Sequence, residues 1–303
     1  MRILMTAVAM TAALALASCG GDEPAPADKP PADVEDELGF DQASIMERQS
    51  RVETAIQACM RNQGFEYTPV DPFAQRAAVV GSSRLTDEEF LRQYGYGIST
   101  LWGRGRAQSD PNAEIRLALG PADRKAYDRA LWGDNPGATF TDAVENGNFT
   151  RLGGCTREAT EQVFGGARVL TQLQARLDQL EERILQDQRM VRAIEDWSGC
   201  MQQAGFEYED PEAIDTDLFT RMERLVGPLP GQFATGPAPG EKPKSFPPSA
   251  LTQLQRDEVS IARADHACEL KHITPVEDAV APQYAEDFRQ SNRALMAQVK
   301  PAR

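Results

Sequence analysis

The stretch CMRNQGFEY at residues 59–67 returns as CMQQAGFEY at residues 200–208. Cys, Met, Gly, Phe, Glu and Tyr stand at the same six of nine positions in both copies, without a gap. Agreement of this extent, which includes two rare residue types, is improbable by chance. The repeat therefore predicts a chain built from two related units.

Each copy has the signature of a helix end followed by an extended segment. Gly64 and Gly205 follow helical sequence at the place where a left-handed residue closes a helix. Phe and Tyr then flank Glu, an alternation that points the two rings to the same side. We call residues 64–68 the first strap and residues 205–209 the second strap. Their rings are predicted to pack on the core: Phe65, Tyr67, Phe206 and Tyr208.

Apolar periodicity marks the helices that lead into the two copies. Over residues 42–63 it predicts one amphipathic helix. Over residues 168–204 apolar residues recur at alternating steps of three and four, which predicts one long helix that packs along others in a bundle. Asp187 and Ser198 fall on the same series. Asp187 fits it worst, because a carboxylate on a buried seam must be paired or reach water.

Capping residues and prolines indicate the remaining helices, and strand signals are few. The expected features are a capping box at Thr86–Glu89 that opens a short helix, a counterpart that starts at Thr216-Asp217, a helix over Pro121–Leu131 closed by Gly133, a helix over 249–271, and a last helix that starts at Thr274-Pro275 and carries Pro282 as a site of breakage or kinking. Seven prolines in residues 227–248 predict a long irregular loop.

The first residues carry an export signal. Met1-Arg2 is a positive start, and the 15 residues from Ile3 to Ala17 are uncharged, too few for the roughly 20 that span a bilayer. Leu16-Ala17-Ser18-Cys19 resembles the lipobox of bacterial lipoproteins. The resemblance implies cleavage before Cys19, a lipid on its sulfur, and anchoring to the extracytoplasmic face of the cell membrane. The alternative is an ordinary secretory signal that happens to carry a cysteine.

Export makes disulfides the expected use of the other cysteines. Four remain in the mature chain: Cys59, Cys155, Cys200 and Cys268. The duplication favours one bond inside each unit, Cys59–Cys155 and Cys200–Cys268. The other pairing that we consider joins equivalent sites, Cys59 to Cys200 and Cys155 to Cys268.

The predicted fold is mainly α: a helical bundle with a long central helix, two duplicated disulfide-stapled units and long irregular loops. The chain of 303 residues divides into a signal peptide and further segments. They are the signal peptide at 1–18, the lipidated Cys19 with a disordered, acidic, proline-rich tether to residue 41, a first unit at 42–165, and a second unit at 166–303 with its proline-rich loop at 227–248.

Few residues point to a chemical site. Tyr94, Tyr96 and Trp102 form the best candidate ligand loop, in the stretch YGYG and just after it, although packed rings at a helix exit are the simpler interpretation. Asp265, Cys268 and His272 share one helix face near His266, and with Cys200 they suggest a metal site. A disulfide is the better use of Cys268, so we predict no metal. Catalytic motifs are missing, and no cofactor is indicated.

The repeated unit, the YGYG stretch and the sequence ADHAC at 264–268 resemble secreted proteins of high-GC, actinobacterial-type bacteria. This resemblance implies no activity. A net charge of −14 argues against nucleic-acid binding,. The expected function is that of a lipid-anchored, non-catalytic binding or accessory protein that engages an envelope protein, a cell-wall polymer or a small ligand. The alternative is an envelope hydrolase that uses paired carboxylates.

Overall fold

A computed structural model describes residues 33–82, 85–104, 111–229, 236 and 244–300, and these residues form helices, turns and loops without a strand. The helices are α1 (Val34–Leu38), α2 (Gln42–Asn62), α3 (Pro72–Val80), α4 (Asp87–Tyr94), α5 (Pro111–Ala118), α6 (Pro121–Trp132), α7 (Phe140–Glu145), α8 (Gly154–Val163), α9 (Ala167–Leu185), α10 (Gln188–Gln203), α11 (Pro211–Val226), α12 (Pro248–Cys268) and α13 (Thr274–Met296). The mainly helical fold class is confirmed. Cys19, the tether up to residue 32 and most of the proline-rich loop lie outside the described residues.

The apolar residues form two cores. One belongs to the first unit and is built on helices α2, α6 and α8. The other belongs to the second unit and is built on α10 to α13, with Ile98 and Trp102 inserted from the first unit. Helix α9 serves both cores, since Leu170 lies in the first and Leu173 in the second. The two units therefore share one helix rather than meeting at a linker.

The predicted disulfide pairing is confirmed. Cys59 is bonded to Cys155 and Cys200 to Cys268, with Cα atoms 5.6 and 5.8 Å apart. In each unit the bond ties the helix that ends in the repeat to the next cysteine along the same unit. The alternative pairing between equivalent cysteines is excluded.

The predicted continuous helix over 168–204 is wrong at one place. It breaks into α9 and α10, and the break falls at Asp187. The Asp187 carboxylate accepts a hydrogen bond from the Arg189 N–H as the N-cap of α10, and a second one from the hydroxyl of Tyr284. A residue that does not suit a buried seam is thus used as a helix cap, which satisfies its charge.

The C-terminal helices differ from expectation in two ways. The Thr216 start is wrong, because Asp210 and Pro211 already open α11, with Asp210 as N-cap. Helices α12 and α13 join through a π-helical turn at Glu269–Ile273 instead of ending before Thr274. Pro282 lies inside α13 without ending it. The capping box at Thr86 and the helix that Gly133 closes are confirmed.

The end of the predicted tether is ordered. Disorder through residue 41 is wrong for residues 33–41, because Val34 and Leu38 of α1 are buried against the second core. The guanidinium of Arg48, fully buried, donates to the carbonyls of Leu38 at 2.9 Å and Lys300 at 2.9 Å. It also lies 4.0 Å from the centroid of the Phe164 ring. Burial lowers the pKa of Arg48 to about 10, so it remains charged at neutral pH,.

No helix within the described ranges combines the length and the apolar character needed to cross a bilayer.

Candidate functional site

The loop that the sequence suggests as a ligand site lies against α12. Tyr94 and Trp102 are buried, and the Tyr94 hydroxyl donates to the Val80 carbonyl at 2.8 Å. The Tyr96 hydroxyl donates to the carboxylate of Asp265, which also accepts from Trp197 Nε1 at 3.0 Å. All three rings of this loop are thus occupied by contacts within the chain.

The side chain of Glu258 hydrogen-bonds to the backbone of the same loop. Its fully buried carboxylate accepts the N–H groups of Ile98 at 2.8 Å and Ser99 at 2.7 Å, as well as the Ser99 hydroxyl. Consecutive backbone N–H groups of this kind form a concavity that suits an anion. Burial raises the pKa of Glu258, although the hydrogen bonds oppose it. The chain's own carboxylate therefore takes the place of a ligand and locks the two units together.

Gly95 explains why the YGYG stretch needs a glycine. Its φ of 64° is in the left-handed region, and a Cβ at this position would lie 3.0 Å from Glu258 Cγ. Any side chain would push the loop away from α12. The motif thus serves the close approach of the two units.

The residues suggested for a metal site have other partners. Cys200 and Cys268 form a disulfide, and Asp265 is held by Tyr96 and Trp197. Across the described residues, no three His, Cys, Asp or Glu side chains are grouped closely enough to hold a metal ion.

The two straps begin with the same backbone geometry. The N–H of Phe65 donates to the carbonyl of Met60, and that of Phe206 to Met201, both at 2.9 Å. The glycine before each phenylalanine has a positive φ, 84° for Gly64 and 93° for Gly205. This is the Schellman closure of a helix in both units.

Equivalent side chains also hold the tyrosines of the two straps. Gln57 Nε2 donates to the Tyr67 carbonyl at 3.1 Å, and the Ser198 hydroxyl donates to the Tyr208 carbonyl at 2.6 Å. Position 198 bears the same relation to Cys200 as position 57 does to Cys59. The duplication predicted from the sequence is therefore matched in local structure, although Tyr67 bonds to Glu53 and Tyr208 to Asp217.

The first strap is covered by helices α5 and α6. Asn112 of α5 pairs with both backbone groups of Thr68: its Oδ1 accepts the N–H at 2.8 Å, and its Nδ2 donates to the carbonyl at 2.9 Å. Tyr127 of α6 meets the Phe65 ring edge-on, with centroids 5.4 Å apart. Asn112 and Tyr127 are both buried, whereas Gly64, Glu66 and Thr68 of the strap itself are exposed.

The second strap instead borders an open groove of about 900 Å³. Its walls are the strap and the first turns of α11, and they comprise Gly205, Phe206, Glu207, Tyr208, Asp210, Glu212, Ala213, Thr216, Asp217 and Thr220. Glu209 stands at the position of Thr68, and its backbone N–H and carbonyl have no hydrogen bond among the described residues. No side chain of the described residues bonds to the Glu209 backbone as Asn112 does to that of Thr68.

The groove is acidic. Four carboxylates line it, and no Lys or Arg of the described residues does. Asp210 caps α11, and Asp217 accepts hydrogen bonds from Tyr208 and Arg221. The carboxylates of Glu207 and Glu212 have no hydrogen bond or ion pair in the described part of the chain. Burial, and then the hydrogen bond to Asp217, raises the pKa of Tyr208, so the phenol stays neutral at physiological pH.

Sequence reasoning identified the strap but missed its acids. It assigned Phe206 and Tyr208 to packing, and both do pack against the second core. The copies do differ in charge at this place, since Thr68 of the first strap is replaced by Glu209 in the second, but Glu209 does not line the groove.

A second cavity of about 510 Å³ lies between α1 and the end of α13, beside the ion pair of Glu37 and Arg289. Carboxylates with raised pKa values occur elsewhere, on α1, α9 and α13. Burial and neighbouring acids raise the pKa of Glu35 and of Glu277 to about 7. Neither residue lines this cavity or the groove.

Comparison with known proteins found no family model that matches the chain, and no significant match among the curated proteins or the solved structures.

Proposed function

We propose that this chain is a lipid-anchored protein of the extracytoplasmic cell envelope that acts as a non-catalytic binding module. The observation that carries the binding role is the difference between the neighbours of the two straps: Asn112 bonds to the backbone of the first strap, and the equivalent second strap borders an open, acidic groove. The lipobox-like sequence at Leu16–Cys19 supports the anchor. The two disulfides support an oxidising compartment,.

The hydrolase alternative is less well supported. It needs two carboxyl groups in a cleft that admits substrate, one of which has a raised pKa so that it serves as the general acid. Glu35 and Glu277 have the raised pKa values, but they are not among the groove residues. We therefore propose binding rather than catalysis.

The anchor is tested by metabolic labelling with palmitate in a bacterial host that processes lipoproteins. Wild-type protein should be labelled and remain with the membrane. Cys19→Ser should lose the label and appear in the soluble extracytoplasmic fraction. An unlabelled wild-type protein with four free thiols would contradict both the anchor and the compartment.

The binding role is tested by a photoreactive amino acid placed in the anchored protein. At position 207, on the open strap, it should give a discrete adduct in cells. The matched control is position 66, the equivalent and equally exposed glutamate of the first strap. Equal adducts at both positions, or none at either, would refute the groove as the binding surface.

A further inference from the structure

We infer that α1 is a pH-operated latch, which undocks from the second core when the carboxyl groups gathered around Glu35 and Glu277 are fully ionised. Undocking is a property of the chain itself, whereas its consequence for the cell surface, a longer tether, rests on the proposed lipid anchor. Three observations carry the inference: the few groups that hold α1, the hinge that follows it, and the acids that three helices bring together around it.

Few groups hold helix α1 to the rest of the fold. It has five residues, of which Val34 and Leu38 are buried against the second core. At its C-terminal end Arg48 donates to the Leu38 carbonyl at 2.9 Å, and Arg289 of α13 pairs with Glu37 at 2.7 Å. A helix this short is not stable alone in water, so α1 is formed only while it is docked.

Gly39 is the hinge between α1 and the body of the fold. Its φ is 69°, in the left-handed region that glycine adopts at low cost. The next residue, Phe40, is fixed in the body, since its ring stacks on that of Phe164 with centroids 6.3 Å apart and lies 5.8 Å from the Arg48 guanidinium. A change of backbone angles at Gly39 therefore frees α1 while α2 stays in place.

Acids from neighbouring helices surround the N-terminal part of α1. Glu35 of α1 and Glu277 of α13 are both partly buried. Asp33, the N-cap of α1, and Glu181 of α9 repel both of them, so the three helices form one acidic cluster. Its other members are Asp36 on α1, Asp178 on α9, Asp278 on α13, and Glu212 of α11, which acts on Glu181. This end of α1 thus lies among like charges, whereas the two cations named above act at its other end.

Ionisation of this cluster opposes docking. Burial, and then the repulsion of neighbouring acids, holds the pKa values of Glu35 and Glu277 at about 7 in the folded chain. When α1 leaves, both carboxyl groups gain water and lose neighbouring acids, so their pKa values fall toward 4.5. The docked state therefore binds more protons, and docking weakens as the pH rises from about 4.5 to about 7. Because the apolar contacts of α1 are few, we expect it to be released before any other helix of the second core.

Release has a consequence for the anchored protein. Residues 33–38 then extend the tether that joins Cys19 to the fold, and this segment reaches at most about 20 Å when it is fully extended. The folded body would stand farther from the membrane at pH 7.5 than at pH 5.

Hydrogen exchange of the purified, disulfide-bonded full chain, followed by mass spectrometry, tests the release. The N–H groups of Glu37, Gly39 and Phe40 donate to carbonyls of residues 33–36, so their protection reports whether α1 is formed. After correction for the intrinsic effect of pH on exchange, this protection should fall about tenfold between pH 5 and pH 7.5, a value reduced because both carboxyl groups are partly exposed. The protection of α2 should not change.

Variants identify the groups that respond to pH. Glu35→Gln combined with Glu277→Gln should keep the protection of α1 at pH 7.5 as high as it is at pH 5. Glu182→Gln, at an exposed acid of α9 next to Glu181, is the matched control and should behave like the wild type. Val34→Ala removes a buried contact of α1, so it should lower the protection at both pH values and show how fast the released segment exchanges.

Three outcomes would overturn the inference: protection of α1 that is the same at pH 5 and pH 7.5, an equal loss in the double variant, or a loss that α10 and α13 share in full, which would assign the effect to the whole second core. Failure of the anchor is seen separately, because the exchange measurement does not require lipidation. A chain that loses the protection of α1 with rising pH but takes up no palmitate would preserve the latch and reject the lengthened tether.

Discussion

The first and second straps follow equivalent helix ends and are equally exposed, yet their neighbours differ. Helices α5 and α6 contact the first strap, and the second borders an open groove. The hydrogen bonds of the turn are the same because they lie within the repeated stretch, in which six of nine residues are identical. The cover differs because it is supplied by the residues between the strap and the next cysteine. In the first unit this segment includes α5 and α6. A helix that begins with Asp-Pro follows both straps, α3 in the first unit and α11 in the second, and α11 forms a wall of the groove beside its strap.

The comparison also shows how the units depend on each other. The first unit supplies the loop that accommodates Glu258, and its residues Ile98 and Trp102 enter the second core. The second unit makes a reciprocal contact at its C-terminus, where Lys300 Nζ donates to the carbonyls of Glu161 and Gln162. Two copies of one unit have thus become a single fold in which each unit contributes contacts to the other.

Removing either disulfide should have the largest effect. The bonds join residues separated by 96 and 68 positions, and the chain entropy of the unfolded state gives about 4–5 kcal/mol of stabilisation for each. Cys59→Ala with Cys155→Ala should therefore destabilise the protein about as much as Cys200→Ala with Cys268→Ala. Urea unfolding measures both. A large loss in one pair and none in the other would break the equivalence of the units.

Glu258→Ala should have the next largest effect, because the second unit then loses its hold on the loop of the first. The substitution leaves the buried N–H groups of Ile98 and Ser99 without a hydrogen-bond acceptor. The cost should be about 3 kcal/mol in the free energy of unfolding. Hydrogen exchange at residues 98–100 should rise with it. Glu207→Gln, at an exposed position of the second strap, is the control. A Glu258→Ala variant as stable as wild type would show that Glu258 does not hold the two units together.

The sequence predicts those features that have a local cause. The disulfide pairing followed from the duplication, and the capping box at Thr86 follows from four residues. The break at Asp187 was visible as a poor heptad residue, but its role as a cap depends on Arg189 and Tyr284. The Asp187 carboxylate could be satisfied either as a helix cap or by a partner along a continuous helix. The apolar pattern is the same in both cases, so it does not distinguish them.

Features that depend on distant residues were not predictable. Glu258 is one acid among 46 in the chain, and nothing local marks it as the partner of a loop whose Ile98 lies 160 positions away. The groove was missed for a related reason. Openness depends on the absence of a covering helix, and the covering helices of the first unit lie in sequence that is not repeated.

Asn112→Ala should uncover the first strap at a smaller cost. The variant removes both hydrogen bonds to Thr68 and leaves a gap beside its backbone. A loss of about 2 kcal/mol in the free energy of unfolding is expected, together with faster hydrogen exchange at the Thr68 amide. The Glu209 amide, exposed in the wild type, should exchange at the same rate in both proteins. Unchanged exchange at Thr68 would contradict the covering role of α5.

The smallest effect concerns pH, and it should be confined to the second core. Burial, and then the repulsion of neighbouring acids, raises the pKa values of Glu35 and Glu277 from 4.5 to about 7. The neighbouring acids are Asp33, Glu181, Asp36 and Asp178 for Glu35, and Asp278, Asp33 and Glu181 for Glu277. The folded state therefore binds more protons than the unfolded state between these values. Stability should fall as pH rises from about 4.5 to 7, by about 1 kcal/mol because both carboxyls retain contact with water.

Thermal unfolding from about pH 4.5 to 8 measures this slope. Glu35→Gln combined with Glu277→Gln should flatten it and raise the melting temperature at the alkaline end, because two carboxylates that repel their neighbours are removed. Glu286→Gln, an exposed position of the same helix α13, is the matched control. A double variant that keeps the wild-type slope would place the pH dependence elsewhere in the fold and would remove this distinction between the two cores.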